Sequence, residues 1–156
     1  MASGDGTRLI RSHFDWDVFK QAYRAAMEVF HVTKRFPADE RYSLTDQLRR
    51  SSRSVSANLA EAWRRRRYEG TFLMRLNDAE AEAAETQTWL AFAISCEYVR
   101  KDEVAELVGA YDTIIGTIVN MTRNPSPWLL QDSGTALRNS VPKPKDPTTS
   151  THQDNK

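Results

Sequence analysis

The chain has 156 residues, of which 40% are hydrophobic and 28% charged, and its formal net charge is +1. This length suits one globular domain with a tail, and a transmembrane helix is excluded because no window approaches about eighteen apolar residues. The single cysteine, Cys96, excludes an intrachain disulfide. A reduced, cytoplasmic setting is therefore expected, with the thiol buried as a small hydrophobic group.

The first helix is predicted over residues 14–36, where apolar side chains recur every three or four positions. Its inward-facing stripe is expected to run through Phe19, Tyr23, Ala26 and Phe30, with Val29 widening it. Pro37 ends this helix, because proline disfavours helical geometry in the residue that precedes it.

The second helix is predicted to begin after an N-cap at Ser43 and to run through Arg67. It carries many small side chains, including those of Ser51 and Ser52, which allow a neighbouring helix to approach closely. We therefore predict a tight helix crossing in this segment. The alternative is a weakly formed helix, because serine competes for backbone hydrogen bonds.

Two further helices complete the expected fold, one from about Gly70 to Tyr98 and one from about Asp102 to Arg123. Few glycines and prolines interrupt this part of the chain, which favours helices over strands. Four helices with short connections predict an all-α, antiparallel, up-down-up-down four-helix bundle over residues 14–123.

The two ends of the chain are expected to lie outside the bundle. Residues 1–13 are predicted to be a flexible leader, and residues 124–156 a mostly disordered tail because they are rich in Pro, Ser and Thr. At the start of that tail, Trp128, Leu129 and Leu130 are expected to dock on the helices.

The near-neutral average charge conceals a basic segment followed by an acidic one. Residues 41–67 contain eight arginines and two acids, whereas residues 70–97 contain one arginine and five acids. One interpretation is that neighbouring helices pair through these charges; the other is that the arginines stay free for a polyanion. The candidates for pairing are Arg49, Arg50, Arg53, Glu80, Glu82 and Glu85.

Three motifs in the middle of the chain carry a family resemblance. Residues 36–50 read F-P-x-x-E-R-Y-x-L-T-x-Q-L-R-R, residues 54–62 read S-V-x-A-N-L-A-E-A, and residues 84–90 read A-E-T-Q-T-W-L. Together they resemble the small "four helix bundle" family, also called the 23S rRNA intervening-sequence protein family. The resemblance extends from about residue 14 to 123.

This resemblance implies an up-and-down four-helix bundle that assembles into a ring-like homopentamer. Some family members are encoded inside insertions of large-subunit rRNA genes. The family is distantly similar to the accessory variability determinant of diversity-generating retroelements, a basic protein that contacts nucleic acid and assists a reverse transcriptase. One departure is Ala62, where the family commonly has glycine; alanine forms helix better by about 1 kcal/mol, which predicts an unbent helix through Arg67.

The clearest chemical feature is a cluster of arginines at the predicted end of the second helix, with two more upstream. These residues are Arg64, Arg65, Arg66, Arg67, Arg53 and Arg49. Guanidinium groups bind phosphate with two hydrogen bonds at once, so we predict that the cluster binds nucleic acid. The alternatives are neutralisation by carboxylates and a favourable contact with the negative end of the helix.

A second set of polar residues lies close to the apolar stripe of the same helix. Asn58 and Glu61 are one turn apart, and a polar group near a core must be hydrogen-bonded to avoid a cost in stability. We expect them to fix the register of the helices or the geometry of a subunit interface, with Arg50 and Glu85 as candidate partners.

Other chemistries lack a recognisable signal. Glu28 and His31 have the spacing used in di-iron bundles, but no second such pair exists in the sequence. No phosphate-binding loop or nucleophile elbow is present, so neither a catalytic residue nor a metal or other cofactor is predicted. The aromatic residues are expected mostly in the core or a subunit interface, with base stacking as the alternative.

The sequence thus predicts a non-enzymatic homo-oligomer that binds RNA or DNA non-specifically, as an accessory to a larger nucleic-acid-processing complex such as one built around a reverse transcriptase. The alternative is a structural oligomer or protein–protein adaptor in which the arginines serve subunit contacts.

Overall fold

The computed structural model describes residues 9–131 and contains four α-helices. They are α1 (Asp17–Thr33), α2 (Leu44–Arg64), α3 (Glu69–Ser95) and α4 (Ala105–Arg123). Each helix packs against two neighbours, and the pairing of α2 with α3 is the most extensive. No residue from 9 to 131 lies in a strand, so the predicted all-α four-helix bundle is confirmed.

The bundle has two ends with different connections. At the end that we call the arginine end, α2 passes into α3, α1 begins and α4 finishes; the opposite end holds the α1–α2 and α3–α4 connections. Within the described chain, no helix is long and apolar enough to cross a membrane. Residues 1–8 and 132–156, on which most of the leader and tail predictions fall, lie outside the described residues.

The first part of the predicted tail does dock on the bundle. Residues 126–128 form a short 3-10 turn, and Trp128 and Leu129 are partly buried against the core. The backbone N–H of Leu130 donates a 3.0 Å hydrogen bond to the carbonyl of Arg66 in the α2–α3 connection. This segment therefore joins the end of α4 to the end of α2.

The apolar face of α1 differs in part from the predicted stripe. Phe19, Ala26 and Val29 are buried as predicted. Val18 and Ala22 are fully buried as well, whereas Tyr23 is 54% exposed and Phe30 is only partly buried. The small Ala22 lets α1 approach its neighbours, so the inward face is rotated by one residue from the aromatic stripe. The prediction for Tyr23 is wrong, and its ring remains on the surface.

Three helices end earlier than predicted. α1 ends at Thr33, not at residue 36. α2 ends at Arg64, not Arg67, because the N–H of Arg65 is shared between the carbonyls of Glu61 and Ala62 and the chain then turns. α3 ends at Ser95, not Tyr98, where Glu97 adopts a left-handed φ of 61°. Cys96 lies at this end and is exposed, so the expectation that its thiol is buried is wrong.

The predicted tight crossing is present between α2 and α3. Ser51, Ser52 and Thr86 are fully buried, and the hydroxyl of Thr86 lies 2.9 Å from that of Ser51 on the facing helix. Each serine hydroxyl also lies within hydrogen-bond distance of a carbonyl in its own helix. The serines thus allow close packing without leaving their hydroxyls unpaired, and α2 is continuous through them.

Three tryptophans close the arginine end. Trp16 is only 2% exposed, and its ring centroid lies 5.4 Å from that of Trp63 and 5.6 Å from that of Trp128. Trp16 therefore connects the start of α1, the end of α2 and the segment after α4.

We expect Trp16→Ala to lower the free energy of unfolding by about 3–5 kcal/mol, because a large buried side chain is removed from the core. Phe14→Ala is the control, since that ring is 63% exposed and its loss should cost less than about 1 kcal/mol. Urea denaturation followed by circular dichroism measures both; equal losses would contradict the structural role of Trp16.

The start of α2 is capped by Glu40 instead of by the predicted Ser43. One carboxylate oxygen of Glu40 accepts the backbone N–H of Leu44 at 3.0 Å, and the other accepts the hydroxyl of Tyr98 at 2.9 Å. Ser43 occupies the N-cap position but makes no side-chain capping bond. These two hydrogen bonds hold the pKa of Glu40 below its usual value, and the bond from the backbone of Leu44 has the larger effect.

We expect Glu40→Gln to lower the melting temperature at neutral pH and to have a progressively smaller effect below about pH 4. A lowered pKa means that the ionised carboxylate stabilises the fold, and this contribution is lost as the carboxylate is protonated. Melting curves from pH 3 to 8 test this. Asp39→Asn is the control, because Asp39 is exposed on the same turn; a pH-independent effect of Glu40→Gln would contradict the capping role.

Candidate nucleic-acid interface

The arginine cluster lies in the reversal between α2 and α3. Arg64 is the last residue of α2, and Arg65, Arg66 and Arg67 form a turn before α3 begins at Glu69. The prediction that all four lie on one continuous helix is therefore wrong.

Most of these arginines line an open depression of about 740 Å³, which we call the turn groove. Its charged and aromatic residues are Arg64, Arg65, Arg67, Arg75, Glu61 and Tyr68. Four arginines and one glutamate give it a formal charge of +3. All of these side chains except Arg75 belong to exposed residues, so the groove is open to a large polyanion.

No carboxylate among the described residues lies within ion-pair distance of Arg64, Arg65 or Arg67. Other arginines of the bundle do have such partners. The ion pairs of arginine are Arg35–Glu103, Arg50–Glu82, Arg50–Glu85, Arg75–Glu61, Arg75–Asp78 and Arg100–Asp102. The single glutamate of the turn groove, Glu61, is paired with Arg75 at 2.8 Å. Three positive charges of the turn therefore remain uncompensated within residues 9–131.

Arg66 differs from its neighbours. Its guanidinium lies 3.4 Å from the ring centroid of Trp63, and its Nε donates a 2.8 Å hydrogen bond to the carbonyl of the same tryptophan. Burial first, and the charge of Arg64 second, lower the pKa of Arg66. These contacts indicate that Arg66 shapes the turn, whereas Arg64, Arg65 and Arg67 are directed to solvent.

A second depression of about 600 Å³ lies at the start of α2, and we call it the entry groove. Its charged and aromatic residues are Arg41, Tyr42, Asp46, Arg49, Arg50 and Arg53. Four arginines and one aspartate give it the same formal charge of +3 as the turn groove. Both grooves lie on the outward surface of α2.

The arginines of the entry groove have different surroundings. Arg50 pairs with Glu82 and Glu85 of α3, so interhelical pairing is confirmed for this residue. Arg49 instead donates a 2.7 Å hydrogen bond to the hydroxyl of Thr33 and lies over the ring of Phe30. Arg53 is exposed and has no carboxylate partner in the described residues.

The expected partners of Asn58 and Glu61 are wrong. The side-chain amide of Asn58 donates a 3.0 Å hydrogen bond to the carbonyl of Ser54 in its own helix, and Glu61 pairs with Arg75. Arg50 and Glu85 pair with each other instead. A role for these four residues at a subunit interface stays a prediction.

The fold and the grooves can be compared with known proteins. The family described as 23S rRNA-intervening sequence protein matches residues 15–120, which cover nearly all of the bundle. The chain belongs to this family. The resemblance seen in the sequence motifs is thereby confirmed, and the arginines of both grooves fall within the matched residues.

A solved structure has the same fold. It is the 1.70 Å crystal structure of a protein with unknown function from the S23 ribosomal protein family of Bacteroides thetaiotaomicron. The two chains share 23% identity with a TM-score of 0.63, over 69% of this chain and 96% of that chain. A comparison with curated proteins finds no match.

Two aromatic residues of the grooves were not predicted as site residues from the sequence. Tyr42 and Tyr68 are 86% and 68% exposed, and each lines one of the grooves. Their proximity to Arg41 and to Arg67 in the sequence was the available signal. Among residues 9–131, no three His, Cys, Asp or Glu side chains are grouped closely enough to hold a metal ion.

We expect Arg66→Ala to lower the free energy of unfolding by about 1 kcal/mol, because it removes the guanidinium from the face of Trp63. Arg67→Ala, which removes the same charge one residue later, should change it by less than about 0.5 kcal/mol. Urea denaturation followed by circular dichroism makes the comparison. Equal effects would mean that the contact with Trp63 does not stabilise the turn.

Proposed function

We propose that this protein is a non-enzymatic homo-oligomer that binds RNA or DNA non-specifically through the arginine end and the outward surface of α2. Arg64, Arg65 and Arg67 supply the principal contacts, and Arg53 and Arg49 extend them toward the entry groove. Arg66 holds the turn in shape. Membership of a family described by an intervening sequence of 23S rRNA agrees with a nucleic-acid partner.

The observation that carries this proposal is the grouping of Arg64, Arg65 and Arg67 around one groove with no carboxylate partner in the described chain. Arg50 and Arg75 on the neighbouring surface are both paired, and other described arginines without an ion pair, such as Arg53, are not grouped in this way. Uncompensated arginines release condensed counterions when they bind phosphates, which favours polyanions of any sequence. Planar guanidinium groups also match the geometry of phosphate oxygens.

Self-association in this proposal rests on the family resemblance, and the apolar surface near α1 is left open to the nucleic acid. On that surface Phe14, Tyr23 and Met27 are 63%, 54% and 40% exposed, and grouped exposed apolar residues are typical of interaction surfaces. A ring of identical copies would repeat the turn groove and raise the avidity for a long polyanion. The expected pentamer and the partnership with a reverse transcriptase rest on the family resemblance.

The same apolar surface favours a second candidate function, that of a structural oligomer or protein adaptor. In that case the arginines of the turn would contact an acidic surface of another subunit. The two functions differ in whether free nucleic acid binds, and the following experiment separates them.

We expect the protein to bind a fluorescein-labelled RNA with micromolar affinity at low salt. A triple variant in which Arg64, Arg65 and Arg67 are changed to Ala should bind this RNA at least tenfold more weakly. The slope of log affinity against log salt should also fall by about 2, because each lost phosphate contact on a single strand contributes about 0.7. Fluorescence anisotropy from 50 to 300 mM salt, roughly the range over which such contacts titrate, measures both quantities.

The control changes Arg35, Arg100 and Lys101 to Ala, which removes the same net charge from the opposite end of the bundle. Exposed ion pairs such as Arg35–Glu103 contribute little stability, so this variant should fold and bind RNA nearly as well as the wild type. Native mass spectrometry with and without RNA reports the number of subunits in each variant. If the protein is oligomeric but binds no RNA at low salt, or if the control variant binds RNA as weakly as the triple variant, the protein is better explained as a structural oligomer or adaptor.

A further inference from the structure

We infer that the nucleic acid is single-stranded and lies along α2, with bases stacked on Tyr42 at one end and on Tyr68 at the other. This inference rests on the proposed function and specifies the class of ligand for the same surface. It follows from the position of two exposed rings relative to the arginines, and from the apolar surface between them.

Tyr42 is a strongly exposed aromatic residue just before the start of α2. Its side chain is 86% exposed, and the only ring contact of its side chain in residues 9–131 is with the guanidinium of Arg41, 5.4 Å from the ring centroid. The ring lines the entry groove together with Arg49 and Arg53. Both faces of the ring therefore have little cover from the protein, and positive charge lies on either side along the chain.

Tyr68 occupies the equivalent position at the other end of α2. It is 68% exposed and lines the turn groove with Arg64, Arg65 and Arg67. A single exposed aromatic residue would need no explanation. Here, each of the two +3 grooves of the helix contains one open tyrosine ring beside its arginines, and that combination is typical of surfaces that bind single strands.

The two grooves are joined by a third depression, of about 420 Å³, between α1 and α2. It shares Arg53 and Ala57 with the entry groove and His13 and Ala60 with the turn groove. The resulting track follows α2, whose 21 residues span roughly 30 Å. At the stacked spacing of 3.4 Å, that length corresponds to about nine nucleotides.

The middle of the track distinguishes a single strand from a duplex. It is lined by apolar and aromatic side chains, including Phe19, Tyr23 and Met27, and Arg53 is its only charged residue among the described ones. A duplex presents phosphates along its outside and buries the faces of its bases, so it offers no apolar group that could contact this surface. A single strand can turn its bases toward the apolar section and its phosphates toward the arginines at both ends.

The test compares one strand of an RNA of about 15 nucleotides with the duplex that it forms with its complement, using fluorescence anisotropy on the full-length protein. We expect the single strand to bind at least tenfold more tightly. Changing Tyr42 and Tyr68 together to Leu should weaken single-strand binding at least tenfold, with little effect on the weak duplex binding. The salt slope should not change, because the phosphate contacts remain.

Two further variants separate stacking from a structural effect. Changing Tyr42 and Tyr68 together to Phe should retain single-strand binding, because stacking requires the ring and not the hydroxyl. Phe92→Leu removes an aromatic side chain that is 54% exposed on α3 and lies outside the track, and it should bind like the wild type. Circular dichroism checks that each variant is folded.

The outcomes distinguish this inference from the function on which it rests. If neither RNA binds at low salt, the proposed function fails and the inference with it. If strand and duplex bind equally well, or if the Leu variant binds the strand like the wild type, nucleic-acid binding stands and the single-strand inference is wrong. A Phe variant as weak as the Leu variant would likewise exclude stacking on the rings.

Discussion

Where α2 and α3 cross, the two helices bury Ser51, Ser52 and Thr86 with no exposed area. Such small side chains hold the helix axes close together, and the chain must therefore reverse within the few residues between Arg64 and Glu69. This constraint places the arginines on a turn. It also sets which charges meet, because Glu82 and Glu85 of α3 face the middle of α2, where both pair with Arg50.

The crossing, the helix count and the pairing of Arg50 could be predicted because each follows from a local pattern of residues. The end of α2 at Arg64 could not be predicted, since no glycine follows that residue directly. It depends on the stacking of Arg66 on Trp63 and on a contact with a segment distant in sequence, the hydrogen bond from Leu130 to Arg66. The early end of α3 has a similar origin, because Glu97 takes a conformation that glycine usually signals.

The candidate site was predicted in part. The arginines are conspicuous as a run of one residue type, but only the fold shows that the guanidinium groups of Arg66 and Arg49 are held by hydrogen bonds and aromatic rings, whereas those of Arg53 and Arg67 have no such partner within residues 9–131. The exposed tyrosines were missed for another reason. Periodicity predicts which aromatic residues are buried in a helix, whereas Tyr42 and Tyr68 lie in connections, where exposure is decided by how neighbouring helices pack.

The position of Cys96 has a practical consequence. It is the single cysteine of the chain, it is exposed, and it follows the end of α3, whose 27 residues separate it from the arginine turn by roughly 40 Å. A maleimide dye attached there would sit far from the turn groove but beside the start of α2, because Cys96 shares a depression with Ser43 and Leu44. Energy transfer between dyes on different copies would report how subunits are arranged, without a label obstructing the arginine turn.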